Sequence, residues 1–152
     1  MRRHEKAVTD HAELKEIFAA GQVCRLALSA DPAPYIVPLS YGYRENVLYF
    51  HAAGAGRKID LLHKNPQAGF EIDIDLGMIE GEAACNWSTR YRSLIGHGRV
   101  EFVESSEEKR RALDIIMAQY TDGEFTYPEK AIKVTTVFKL LIAEVSGKQS
   151  RV

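Results

Sequence analysis

The sequence predicts a mainly β fold, an antiparallel barrel of six strands with a few helices. Two observations support this prediction. Six segments show the alternation, or the β-branched and aromatic content, that is typical of strands. Few helical segments separate them, whereas a wound parallel sheet needs a helix after almost every strand. The 152 residues contain no repeat and no Gly/Ser linker, which favours a single domain over residues 1–152.

The first element is a short helix ahead of the strands. Asp10 followed by Glu13 is the pattern of a capping box, and Gly21 marks the end of the helix. The apolar residues between these signals share one face of the helix: Leu14, Ile17 and Phe18. We therefore expect this helix to pack its apolar face against the barrel.

The next three segments predict an antiparallel meander. Residues 23–29 alternate apolar and polar side chains, and residues 34–43 are rich in β-branched and aromatic types. Pro38 inside the second segment indicates an edge strand or a bulge, because proline cannot donate to a central ladder. Residues 44–46 form a tight turn into a third strand over residues 47–52.

The middle of the chain continues with one helix, one loop and two strands. Residues 54–65 predict a helix that ends at Pro66. Residues 68–75 alternate cleanly and predict the fourth strand. Residues 76–89 have no clear period and contain several turn formers, so they predict a loop. Residues 91–103 then form a long fifth strand.

The last part of the chain predicts a second capped helix and a sixth strand. Ser105 with Glu108 is another capping box. Apolar residues follow it at helical spacing: Leu113, Ile116, Met117 and Tyr120. Residues 134–145 alternate over their whole length and complete the set of strands.

Composition and charge exclude several classes of function. The net charge is −1, so no overall basic field attracts nucleic acid or an anionic membrane. No apolar run is long enough for a secretory signal or a membrane span. Two cysteines far apart, Cys24 and Cys85, and five histidines without close pairing predict no disulfide framework and no metal site. A reducing cytoplasm is the expected location.

The sharpest local signal lies at the start of the predicted middle helix. Gly54 and Gly56 let the backbone approach a ligand closely, and Arg57 and Lys58 stand in the first helical turn. A helix dipole disfavours cations there unless an anion, such as a phosphate, occupies the N-terminus. The alternative is a solvated Arg–Lys pair, and the segment alone leaves both open. A P-loop has Ser or Thr after its lysine, so Ile59 excludes that motif. Ile59 also stands where a dinucleotide-binding fingerprint has its third glycine, so the match to that fingerprint is weak.

Two further arginines stand in strands that are otherwise apolar. Arg92 begins the long fifth strand beside Ser93, and Arg25 lies between apolar neighbours in the first strand. Each buried guanidinium needs an anion or a carboxylate, since an unpaired buried charge is costly. A bound phosphate is one partner, and a glutamate at the surface is the other. His51 ends a strand just before the phosphate candidate, where either a chemical role or a simple hydrogen bond fits.

Five segments together resemble the pyridoxamine 5'-phosphate oxidase-like FMN-binding split barrels. They are Arg25-Leu-Ala-Leu28, Tyr35-Ile-Val-Pro-Leu-Ser-Tyr-Gly-Tyr43, Leu48-Tyr-Phe-His51, Gly56-Arg-Lys58 and Tyr91-Arg-Ser-Leu-Ile-Gly-His-Gly98. Within this family the chain most resembles the nitroimidazole-resistance (5-nitroimidazole reductase-like) branch. The resemblance covers nearly the whole chain and implies a six-stranded split β-barrel that forms a homodimer, with FMN at the subunit interface.

The resemblance also implies which residues hold the cofactor. Lys58, with Arg57 beside it, corresponds to the basic position that binds the phosphate, and Arg92 and Ser93 are expected to add phosphate contacts. The backbone of the segment Pro38, Leu39, Ser40 and Tyr41 is expected to line the isoalloxazine ring. His51 should lie near the flavin and is the candidate for a catalytic role, and Arg25 is a further cofactor candidate.

The implied function is an FMN-dependent oxidoreductase. It would take electrons from NADH, NADPH or another donor and reduce a small molecule, for which a nitroaromatic compound is one candidate. A nearby cation would favour the anionic reduced flavin, and no catalytic triad is needed. Two alternatives remain: a non-catalytic protein that stores or senses flavin, and a haem-binding split barrel with His51 or His97 as the ligand.

Overall fold

The computed structural model describes residues 4–150, which form one eight-stranded antiparallel sheet with four α-helices around it. The strands are β1 (Ala7–Val8), β2 (Cys24–Leu28), β3 (Tyr35–Leu39), β4 (Gly42–Arg44), β5 (Val47–Ala53), β6 (Gln67–Ile79), β7 (Ser88–Val103) and β8 (Thr135–Ser150). The helices are α1 (His11–Ala20), α2 (Arg57–Lys64), α3 (Ser106–Ala118) and α4 (Glu129–Val134). The predicted mainly β class is confirmed.

The strand order is β3-β2-β6-β7-β8-β5-β4, with β1 added beside β8. β3 and β4 follow each other along the chain, yet they stand at opposite ends of this hydrogen-bonded path. In the described residues, the sheet therefore closes into a barrel only through the connection at Ser40 and Tyr41, and the barrel is split there. The split barrel is confirmed, with eight strands instead of six because residues 34–43 form two strands and β1 is added.

The predicted meander is wrong. β2 and β3 do form a hairpin, and β4 and β5 form another, but β5 pairs with β8 rather than with β3. Alternation shows which face of a strand is buried and does not show which strand lies beside it. The edge position of Pro38 is confirmed, because β3 has a neighbour on one side only.

The barrel interior forms the main core. Fully buried side chains from β2, β6 and β7 meet there, among them Leu26, Ile72 and Leu94. The rings of Phe50 and Phe138 stack with their centroids 5.2 Å apart. Each such burial contributes about 1.5–3 kcal/mol relative to an exposed side chain. The apolar faces of α1 and α2 join the same core through Ile17, Phe18, Ile59 and Leu62.

The predicted helix starts are confirmed for α1 and α3. The carboxylate of Asp10 caps α1, accepting from Ala12 N rather than from the Glu13 N–H that the capping box predicts. Ser105 caps α3 through the N–H of Glu108 at 3.3 Å. α2 begins three residues later than predicted, at Arg57, because residues 54–56 form a bend that leads into the helix. α4 was not predicted.

The predicted loop over residues 76–89 is wrong in part. β6 continues to Ile79 and β7 already begins at Ser88, so the two strands project as a ribbon. A bulge between Asp75 and Met78 hides the alternation, and Gly77 adopts a φ of 93° there. Only glycine adopts this conformation without strain, which explains why the sequence pattern resembles a loop.

The outer face of the sheet is covered over one half only. α3 lies across β4 and β5, and it contributes Ala112 to a small second core with Val103 and Val137. We call this region the covered half. The remaining outer face, on β2, β3, β6 and the first part of β7, carries no helix in the described residues, and we call it the open half.

Candidate functional site

The N-terminus of α2 lies beside the first residue of β3. The guanidinium of Arg57 stands 4.9 Å from the centre of the Tyr35 ring. Gly56, the N-cap residue, has a φ of 131° and provides no side chain to cap the helix. The first helical bonds run from Ile59 N and Asp60 N to the Gly56 carbonyl, so the N–H groups of Arg57 and Lys58 precede the helical ladder.

The split between β3 and β5 lies next to this helix end. β4 pairs with β5 only from Val47 to Tyr49, and continuing that register would place Ser40 opposite His51. The chain instead leaves for β3 at this point. Beyond Tyr49, β5 therefore has no strand on this side within residues 4–150. His51 stands exposed on this part of β5.

The segment from Pro38 to Tyr41 crosses the split. Pro38 and Ser40 are exposed, and Leu39 is half-buried. Tyr41 is fully buried: its hydroxyl donates to the Phe18 carbonyl at 2.6 Å, and burial raises the pKa of its phenol above the ordinary value. Its backbone N–H donates to the hydroxyl of Tyr120 at 2.9 Å. The ring of Tyr41 therefore belongs to the core, and the exposed part of the segment is Pro38 to Ser40.

The cavity at this location is small within one chain. A cleft of about 120 Å³ lies beside Gly54, between Ile59 of α2 and Thr136 of β8. Small-molecule sites usually enclose roughly 300–1,000 Å³. A larger groove of about 380 Å³ lies under α3, and no candidate site residue lines either cavity. One subunit thus offers an open split but no cavity lined by the candidate residues, and a flat ligand would need a second wall.

Residues 10–149 match the sequence model of the pyridoxamine 5'-phosphate oxidase family. The chain belongs to this family. It is 33% identical to a provisionally assigned 5-nitroimidazole antibiotic resistance protein of Bacteroides thetaiotaomicron VPI-5482, with 94% of this chain and 86% of that chain covered and a TM-score of 0.83. The split barrel and the family predicted from the sequence are confirmed.

Two other relatives extend the comparison. An FAD-binding protein of Mesorhizobium loti is 25% identical, with 95% of this chain and 97% of that chain covered and a TM-score of 0.69. An uncharacterized protein of Rhizobium meliloti (strain 1021) is 38% identical over 65 residues, which are 43% of this chain. The match spans only 42% of that relative's length.

Arg25, on β2, is already paired with carboxylates within one subunit. Its Nη1 donates to Glu71 Oε2 at 3.0 Å and also to Asp73. These bonds raise the pKa of the Arg25 guanidinium, and burial and the Asp73 charge raise the pKa of Glu71. The sequence left two partners open for Arg25, a bound phosphate or a carboxylate at the surface. Within one subunit the partner is a carboxylate. Its contact with a cofactor stays a prediction.

Arg92 and Ser93 lie away from the α2 N-terminus. Arg92 pairs with Ile74 of β6. Tyr35, the first residue of β3, lies across β2 from Ala68, which comes six residues before Ile74 on β6. Six residues of strand span roughly 20 Å. Arg92 Nη1 lies 3.4 Å from Glu16, and its buried Nε has no hydrogen-bond partner among residues 4–150. Within one subunit these residues do not join Lys58, and their phosphate contacts stay predictions.

Sequence reasoning missed two aromatic residues at this site. Tyr35 lies under the Arg57 guanidinium, and Tyr120 accepts the Tyr41 N–H. Tyr35 is an ordinary aromatic strand residue in the sequence, and Tyr120 has the spacing of a helix core position, so neither carried a signal. Within residues 4–150 there is no cluster of histidine, cysteine and acidic residues that could hold a metal ion. None of the helices described there is long and apolar enough to cross a membrane.

Proposed function

We propose that this chain is an FMN-binding protein that holds the cofactor phosphate at the N-terminus of α2. The observation that carries the proposal is the pair Arg57 and Lys58 in the first helical turn, after an uncapped Gly56. Cations there oppose the helix dipole, and a bound dianion would reverse that repulsion. The free N–H groups of the same turn would donate to the phosphate, and Lys58 would add a charge-assisted bond.

The isoalloxazine ring would lie in the split between β3 and β5. The backbone of Pro38, Leu39 and Ser40 would line one side of the ring, and the exposed His51 would lie on the other. Arg57 is held over Tyr35 at the phosphate end. The FAD-binding relative from Mesorhizobium loti supports a flavin as the ligand. Tyr41 would act through its backbone, because its side chain is committed to the core.

We propose further that two copies pair through the open half. Ile36 and Ile95 are 62% and 60% exposed there, although both lie on regular strands. Exposed apolar residues on one uncovered sheet face are typical of an interaction surface. A second copy would supply the missing wall of the cofactor cleft. Arg92 and Ser93, distant from Lys58 within one subunit, would then contact the phosphate in the partner's site.

The activity we propose is reduction of a small molecule, with NADH or NADPH as the donor. The bound flavin would supply the redox chemistry by taking a hydride from the nicotinamide and passing two electrons to the oxidant. The protein would orient the ring, exclude water and place His51 beside it. The provisionally assigned 5-nitroimidazole resistance relative supports a nitroaromatic compound as the oxidant.

The first experiment records the visible spectrum of the purified protein. The protein is incubated with FMN, desalted, and mixed with NADH or NADPH without oxygen, followed by a 5-nitroimidazole. Retained flavin that bleaches and is then reoxidised by the nitro compound supports the reductase. Retained flavin that no donor bleaches favours a storage or sensing protein. An iron-dependent absorption band without retained flavin would instead indicate the haem alternative.

The phosphate assignment is tested by Lys58→Ala. We expect the FMN dissociation constant to rise about 10- to 100-fold, because one partner of a dianion is lost and its charge is left uncompensated. The matched control is Lys64→Ala, in the last turn of the same helix, which should bind FMN like the wild type. Titration of flavin fluorescence measures both constants. Equal affinity in the two variants would refute the phosphate site.

A further inference from the structure

The connection between β3 and β4 is held in place by residues that are distant in sequence. Ser40 and Tyr41 form this connection, and the C-terminal ends of α1 and α3 meet beside it. Within residues 4–150 this connection alone joins the two ends of the strand path, because β3 and β4 do not pair. Its position therefore depends on side chains that bridge to it.

Tyr120, two residues after α3, makes the central bridge. Its hydroxyl accepts from the backbone N–H of Tyr41 at 2.9 Å and donates to the carbonyl of Gln22 at 2.8 Å. One hydroxyl thus uses both its donor and its acceptor function on the backbone. The bridge ties the β3–β4 connection to the segment between α1 and β2.

The surrounding contacts leave the connection little freedom. Gln119 Nε2 donates to the carbonyls of Phe18 and Gly21, both at 2.8 Å, which ties α3 to the end of α1. A Cβ on Gly42 would lie 2.4 Å from the Ile115 carbonyl oxygen, so α3 also packs directly on the residue after Tyr41. The peptide between Ser40 and Tyr41 is held by α3 on its C-terminal side.

We propose that Tyr120 is a positioning residue for the flavin, because it sets the orientation of the Ser40–Tyr41 peptide. This inference rests on the proposed function, in which the backbone up to Ser40 faces the isoalloxazine ring. In a trans peptide the N–H and C=O point in opposite directions within one plane, so the bond that holds the Tyr41 N–H toward Tyr120 also fixes the direction of the Ser40 carbonyl. Without the hydroxyl, the N–H loses its acceptor and this bond no longer sets the tilt of the peptide.

The test compares two variants that each remove one tyrosine hydroxyl near this connection. Tyr120→Phe removes the acceptor of the Tyr41 N–H. Tyr43→Phe removes a hydroxyl that makes no hydrogen bond among residues 4–150; the Tyr43 ring, stacked on Phe18, is kept, and the Tyr41 N–H stays bonded. We expect Tyr120→Phe to raise the FMN dissociation constant about tenfold and to shift the visible flavin bands. Tyr43→Phe should keep the constant within about twofold and the bands unchanged.

Three outcomes decide the matter. Wild-type affinity and spectrum in Tyr120→Phe, while the wild type binds FMN, would overturn this inference alone. A wild-type protein that binds no FMN would overturn the proposed function and this inference with it. In the wild type, hydrogen exchange at the Tyr41 amide should be as slow as in paired β5 amides. Rapid exchange there would overturn the inference even if Tyr120→Phe does not fold.

Discussion

The covered and open halves of the outer sheet face differ although β7 runs through both. β7 contributes to each: Val103, near its end, is buried under α3, whereas Ile95, eight residues earlier on the same face, is 60% exposed. β8 shows the same change, from the buried Val137 to the exposed Glu144. β8 has a bulge at Ala143 between these two residues, whereas β7 keeps its alternation, so the difference along β7 comes from the helix that lies on one half.

This contrast separates two ways of burying a sheet face. The covered half is completed by the chain itself, and small residues such as Gly42 let the helix approach the sheet. The open half carries isolated apolar residues around the polar group of Arg25, Glu71 and Asp73. Exposed apolar residues bordered by polar ones are typical of a surface that meets a second protein. The contrast can be tested on each half separately.

The largest effect is expected from Gly42→Ala in the covered half. The new Cβ would meet the Ile115 carbonyl oxygen at 2.4 Å, and a backbone atom of α3 cannot yield as a side chain can. We expect a loss of about 2–4 kcal/mol in the free energy of unfolding. Urea denaturation at fixed protein concentration measures this loss.

The matched control is Gly69→Ala in the open half, where the nearest atom would be 3.7 Å from the new Cβ. We expect its stability to change by less than about 1 kcal/mol. A Gly69→Ala variant that is as unstable as Gly42→Ala would show that the two halves do not differ in packing.

A smaller effect is expected from Ile95→Lys in the open half. The lysine would be well solvated in a single subunit, but in a dimer its charge would be buried without an opposite charge beside it. We expect the dimer dissociation constant to rise at least tenfold, about 1.4 kcal/mol, with little change in the folding of the monomer. Sedimentation equilibrium measures the constant. The control is Val134→Lys on α4, whose side chain is 70% exposed outside the open half. Equal dimerisation of the two variants would exclude the open half as the interface.

The smallest effect concerns Glu71. Burial of its carboxyl and the neighbouring charge of Asp73 raise the pKa of this group above the ordinary value. A raised pKa means that the folded state binds this proton more tightly than the unfolded state does. The stability from the protonated carboxyl is complete below the ordinary pKa and is lost as the pH rises through the folded pKa. Glu71→Gln cannot undergo this loss.

We therefore expect the wild type to lose stability relative to Glu71→Gln as the pH rises above the ordinary pKa of a glutamate, by less than about 1 kcal/mol since the group is partly exposed. Thermal unfolding of both proteins at a series of pH values measures the difference. If the wild type gains stability over the variant as the pH rises, the Arg25 pairing dominates the titration of Glu71.

Local signals in the sequence predicted the elements well. The caps at Asp10 and Ser105 marked the starts of α1 and α3, because capping depends on side chains within one turn. The turn before β5 was also predicted: Glu45 and Asn46 have φ values of 50° and 66°, as a two-residue hairpin turn requires. The Arg57–Lys58 signal was local too, and the structure places it in the first turn of α2.

Partnerships between distant residues were not predictable in the same way. The separation of β3 from β4 and the pairing of β5 with β8 depend on how the whole sheet closes. The bulge at Gly77 concealed the ribbon formed by β6 and β7. The carboxylates beside Arg25 and the hydroxyl of Tyr120 reach their partners from residues 46 or more positions away. No spacing along the chain encodes such contacts.

The sequence by itself determined the mainly β class, most element boundaries, the family and the candidate anion site, because capping, alternation and short motifs act between near neighbours. The tertiary structure alone decided where the barrel is split, which half of its outer face α3 covers, and which candidates can meet in one subunit. It places His51 on the part of β5 that lies beyond its pairing with β4, and Arg92 beside Ile74, far along β6 from the start of β3. The physical reason is that strand pairing and helix docking are set by burial summed over the whole chain, which no local pattern contains.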